Sequence, residues 1–208
     1  FFVADEAQVP AWQSTPPKDT EAIQALEEEY FRSNYDIRSM LRVLFNSDSF
    51  KNARFAKVKS PAELVAGVMR LVDDYTSPKP NIQNIANACT YMGQDLFNPP
   101  TVEGWHTGQE WIDSGAMVER VNFAADQVGD IGKPGVRRIA DRLASSGPSM
   151  TAEQLVDGCL DLVGPVVVSQ ARRTELIAHV DRGGEVRSGT HEERQNFNER
   201  VVMLLQLI

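Results

Sequence analysis

The strongest constraint on this chain is a helical period that recurs along its length and is cut each time by glycine or proline. Apolar residues spaced three and four apart mark one face of an amphipathic helix. Ile23, Leu26, Tyr30 and Phe31 follow Asp19 in this way, and Ile37, Met40, Leu41, Leu44 and Phe45 follow Asp36. Both segments are expected to be short core helices that open on their aspartates. A third runs from Pro61 through Leu64, Val65, Val68, Met69, Leu71 and Val72. Further helices are expected from about Ile82 to Met92, from about Ala116 to Val128, and from Pro134 through Leu143, with Gly93, Gly129 and Gly147 as their stops. The segment after Thr151 buries Leu155, Cys159, Leu160 and Val163 until Gly164 and Pro165 break it. One more holds Ala171, Leu176, Ile177 and Val180, and the last runs from Thr190 past Phe197, Val201 and Leu204.

Four sites carry the capping-box pattern, in which a Ser or Thr hydroxyl takes a backbone proton and a Glu or Gln three residues on reaches back. They are Ser60 with Glu63, Thr107 with Glu110, Thr151 with Gln154, and Thr190 with Glu193. Only residues 165–168 read as strand, and four residues without a partner of similar composition make no sheet. The expected fold is therefore all-α: an irregular helical bundle with one long Pro/Gly/Trp-rich loop. Residues 1–18, with Pro10, Pro16 and Pro17, read as an extended arm that continues from a preceding part, and residues 19–208 read as one helical domain. No repeat of fixed period points to a solenoid.

Composition narrows the function classes. With 208 residues, 42% of them hydrophobic, the chain is long enough to bury a core, which excludes disordered and disulfide-knot classes. Its formal charge of −8 opposes a phosphate backbone, so nucleic acid is not an expected partner. No apolar run approaches the roughly 20 residues of a membrane span. The chain opens on Phe1 and Phe2 and closes on Leu204, Leu205, Gln206, Leu207 and Ile208, an apolar helical tail, and so reads as a piece of a longer protein. Cys89 and Cys159 sit inside amphipathic patterns and are expected to be buried thiols, with a single disulfide as the alternative.

The feature with functional content is the loop from Gln94 to Asp113. Two of the chain's three tryptophans, Trp105 and Trp111, lie in it, behind the stiff Pro99–Pro100 pair and beside Gly104 and Gly108. Loops of this length in compact domains are often functional. Two readings stand. The indoles plug a gap between helices, as buried tryptophans usually do. Alternatively they form a stacking wall suited to sugar rings, with Asn98, Glu103, His106, Gln109, Glu110 and Asp113 as the polar groups of a binding site.

Around this loop the sequence resembles a known family. Met92, Gly93 and Gln94, then Leu96, Phe97, Asn98, Pro99, Pro100, Val102, Gly104, Trp105, Gly108, Trp111 and Ile112, followed by Arg120, Val121, Asn122 and Phe123, look like the C-terminal half of the bacterial family called domain of unknown function 1800. Upstream, Ser47, Asp48 and Phe50, then Lys59, Ser60, Pro61, Glu63 and Leu64, are similar to the same family. The likeness is strong to about residue 130 and looser beyond. It implies a bacterial protein, often exported and so extracytoplasmic, commonly encoded with a sulfatase-like or phosphatase-like partner. It implies no established reaction. The chain departs from the commoner pattern at Asp95 and His106, which counts against a family-wide catalytic role for His106.

Other constellations carry less. The three histidines, His106, His179 and His191, have no zinc-ligand spacing such as HExxH. His106 with Glu103, Glu110 and Asp113 reads as a solvated polar rim rather than a metal site, and no cofactor is implied. There is no GxSxG elbow, and residues 129–135 lack the phosphate-loop order. Lys51, Arg54, Lys57 and Lys59, interleaved with Phe50 and Phe55, read as a solvated connector, and Glu27, Glu28 and Glu29 as an exposed helix face. The expected function is an exported binding or scaffolding module whose Trp-rich loop contacts a glycan or a protein, besides the rest of its own chain. The alternative is part of a cell-envelope hydrolase completed by residues outside this sequence.

Overall fold

A computed structural model describes residues 2–5, 13–105 and 107–208. Residues 1 and 6–12 of the expected arm, Pro10 among them, and His106 lie outside the described residues. The described chain is mostly helical, as the periodicity requires: ten α-helices, one 3₁₀ turn and a pair of two-residue strands. It divides into two compact units. One joins Phe1–Ser60 with Pro100–Asp113, and the other joins Pro61–Pro99 with Ser114–Ile208.

The first unit contains α1 (Thr20–Arg32), α2 (Ile37–Asn46), α3 (Asp48–Asn52) and the 3₁₀ turn Gly108–Trp111. Asp19 caps α1 by accepting from the Ala22 amide at 3.0 Å, and Asp36 caps α2 by accepting from Arg38 at 3.0 Å. Between them Asn34 and Tyr35 both take positive φ, which reverses the chain. α1 and α2 are not the core helices their period suggests. Neither buries an apolar residue completely, and Phe31 and Ile37 are exposed. Their aromatic rings pack near the surface instead, edge to face for Tyr30 on Phe31 and for Phe45 on Phe2 and Phe50, and tilted for Tyr30 on Tyr35.

Glu29 overturns its expected place on a solvated face. It is buried, because it falls on the inward stripe of α1 with Leu26 and Tyr30. Its carboxylate is satisfied there by the Ser39 hydroxyl of α2 and by the Arg32 guanidinium, whose Nε donates at 2.8 Å. These bonds, that from Ser39 first, hold the carboxyl below its ordinary range.

The second unit holds α4 (Pro61–Val72), α5 (Ile82–Tyr91), α6 (Ser114–Val128), α7 (Pro134–Ala144), α8 (Ala152–Val163), α9 (Gln170–Asp181) and α10 (His191–Leu207). Its main core is built from Val136, Ile139 and Leu143 of α7, Leu155, Val156 and Cys159 of α8, and Phe197, Val201 and Leu204 of α10, with Leu176 and Val180 of α9. A smaller cluster joins Val65 of α4 to Ala88, Cys89 and Met92. Both cysteines are buried and free. Gly135 lets α7 cross α4 closely: a Cβ there would lie 1.9 Å from the Leu71 carbonyl oxygen.

The capping boxes at Thr151/Gln154 and Thr190/Glu193 are both formed. α4 starts at Pro61, and the buried Gln94 side chain accepts from the Ala62 amide at 2.8 Å. Thr107 makes no side-chain cap, contrary to its pattern. Gly108 at φ +63 takes the first position of that turn out of helical geometry, so the later amides do not point back at the threonine. β1 (Ser149–Met150) pairs antiparallel with β2 (Val186–Arg187), a contact the sequence did not suggest, while residues 165–168 form no strand. Among the described residues no helix is long and apolar enough to cross a membrane.

Candidate functional site

The loop residues from Pro100 to Asp113 belong to the first unit, and two local devices hold them. The earlier is a tight turn at Thr101–Gly104. The Gly104 amide donates to the Thr101 carbonyl at 3.1 Å, and the Thr101 hydroxyl accepts from the Glu103 amide and donates to the Gly104 carbonyl, each at 3.3 Å. Gly104 closes the turn at φ +107, a conformation that side chains rarely adopt. Val102 and Glu103 form its two corners, and Val102 is fully exposed.

The later device is the 3₁₀ turn. Gly108 is buried at φ +63, and a Cβ there would lie 3.1 Å from Cβ of Asp5. Asp5 is itself tied to the connector after α3: its amide donates to the Ala56 carbonyl at 3.3 Å, and its carboxylate accepts from the Val58 amide at 2.5 Å. One aspartate thus gathers three segments of the unit. Trp111, 5% exposed, ends the turn as a buried anchor, and the Ile112 amide donates to the Gln109 carbonyl at 2.9 Å.

The candidate residues therefore have different situations. Trp105 is half-buried, while Glu103, Gln109, Glu110 and Asp113 are exposed. Trp111 presents no open ring face, and His106 lies outside the described residues. Asn98 falls in the second unit, where its side-chain amide donates to Asp95 at 2.9 Å. Among the described residues no group of three or more His, Cys, Asp or Glu is placed to hold a metal ion. Sequence reasoning singled out the polar and indole residues of this loop and passed over its most exposed apolar ones. Val102 stands clear in the first unit, and Phe97, at φ +64, stands clear in the second. The Thr-x-x-Gly spacing at 101–104 was the available signal for a turn with Val102 at its corner.

A separate open cavity of about 460 Å³ lies in the second unit, where the β1–β2 pair meets the start of α8. Thr151 and Gln154 on its wall are engaged in their capping box, and Glu185 accepts from Arg187 at 2.7 Å. Ser149, Met150, Asp181 and Val186 also line it.

Comparison with known sequences settles the family. The description that matches is "Protein of unknown function (DUF1800)", and the match takes in residues 1–208. The chain belongs to the DUF1800 family. Membership extends beyond the motif-bearing stretch that ends near residue 130 and covers α7 to α10 as well, so the whole helical chain is family structure. No curated protein and no solved structure matches the chain.

Proposed function

We propose that this DUF1800 chain is a binding or scaffolding module of an exported bacterial protein, and that its 100–113 loop contacts a partner protein. The observation that carries the reading is Val102: an apolar side chain left fully exposed at the corner of a turn braced by three hydrogen bonds. An apolar side chain already held in place loses little freedom on binding, and its burial against a partner removes apolar surface from water. A glycan platform fits less well. It needs open aromatic faces, and among the described residues of the 100–113 loop only the half-buried Trp105 offers part of one. The partner we favour is the sulfatase-like or phosphatase-like protein that commonly accompanies the family.

The test is to co-express the chain with a sulfatase-like protein of the same bacterium and to measure the complex by titration calorimetry. Val102→Asp should weaken the complex at least about tenfold, the scale of losing one buried aliphatic anchor, with the helical circular dichroism unchanged. Unaltered affinity in Val102→Asp removes the loop from the interface. Export is checked by cell fractionation of the gene product, which should be found outside the cytoplasm.

A further inference from the structure

We propose that the Phe55 turn of the first unit is a peripheral docking point for an anionic lipid surface. After α3 the chain reverses at residues 53–56, where the Ala56 amide donates to the Ala53 carbonyl at 3.1 Å. Phe55 sits in that turn at φ +62, a backbone region that a bulky side chain occupies only under strain. The ring gains little protein contact in return, since 64% of its surface remains open to solvent. The Arg54 guanidinium lies over it at 4.7 Å from the ring centre, so a cation and an aromatic face are presented together.

Charge says what covers this point. Between residues 48 and 59 the basic side chains are Lys51, Arg54, Lys57 and Lys59, against the single carboxylate of Asp48. Lys51 is exposed just before the turn and Arg54 within it. The neighbouring Asp5 carboxylate accepts from the Val58 amide and keeps its charge, and Asp19 lies against Ser49 of α3, so four cations here face three carboxylates. Although the whole chain carries −8, surface charges are screened beyond about 8 Å at physiological ionic strength, so a membrane pressed against the turn meets the local excess of positive charge. An exposed aromatic flanked by Lys and Arg is the combination that enters the headgroup region of anionic bilayers, with the ring in the acyl boundary and the cations on the phosphates.

The experiment is sedimentation of the 208-residue chain with phosphatidylcholine vesicles and with mixed phosphatidylcholine–phosphatidylglycerol vesicles. Binding is expected to the mixed vesicles alone and to fall as salt is raised. Lys51→Gln with Arg54→Gln should lower the partition coefficient about 25-fold, at roughly fivefold per basic residue. Phe55→Gly should lower it about tenfold through the lost ring. Glycine accepts the positive φ, so the same variant keeps or raises the thermal midpoint. A chain that does not sediment with the anionic vesicles, or that binds the neutral ones equally, overturns the proposal. So does a Phe55→Gly chain that binds like the parent, or one whose midpoint falls, since the ring would then be structural. Val102→Asp should leave vesicle binding unchanged, which separates this site from the partner-binding loop.

Discussion

Cys159 is sealed in the main core of the second unit, and burial pushes its thiol up from 9.0 to about 12. A raised thiol value means that the folded state favours the neutral form. Its contribution to stability is complete below the unfolded thiol's value and is lost as the pH rises from about 9 toward 12. Native protein at pH 8 should therefore leave Cys159 unlabelled by a thiol reagent, and labelling should appear only with unfolding; rapid native labelling would show that the site opens. Glu29 has the opposite sign. Its depressed carboxyl stabilises the fold above the ordinary carboxylate range, and that support fades in acid. Cys159 was legible in the sequence because its apolar neighbours recur at helical spacing. Glu29 was not, because the Ser39 that satisfies it lies on the next helix and leaves no trace in the pattern of α1.

Helix starts were readable where their chemistry is local. Asp19, Asp36, Thr151 and Thr190 each bond an amide within three residues of themselves, so spacing alone reveals them. Gln94 caps α4 from 32 residues away, and no spacing rule finds it. The β1–β2 pair escapes for the same reason: two residues on each side carry no alternation, and their pairing depends on where α8, α9 and α10 lie. The crossing of α4 and α7 gives the sharpest element-level expectation. Gly135→Ala would drive a methyl into backbone at Leu71 and Val72, which cannot rotate away as a side chain could. The cost should be about 3 kcal/mol, read as a lowered urea midpoint with unchanged slope; a neutral variant would mean that the two helices are free to separate.

At the scale of the molecule, both apolar clusters among the described residues belong to the second unit, whereas the described part of the first is held by caps, edge-to-face rings, Glu29 and Asp5. Sub-global opening is easiest where few apolar contacts are buried. Amides of α1 and α2 should therefore exchange with deuterium faster than those of α7, α8 and α10; equal protection would mean that the first unit has cohesion beyond these contacts. The helical period revealed that helices form, but a period says nothing about which helices share a core. The candidate loop was likewise visible as a block of Pro, Gly and Trp, while the contrast between its sealed Trp111 and its bare Val102 required coordinates.

The meeting of Gly108 with Asp5 has a consequence for descent. Two positions from opposite ends of the unit's sequence share one small space, so a lineage that replaced either would inherit pressure to revise the other, and their histories should be read as a single character.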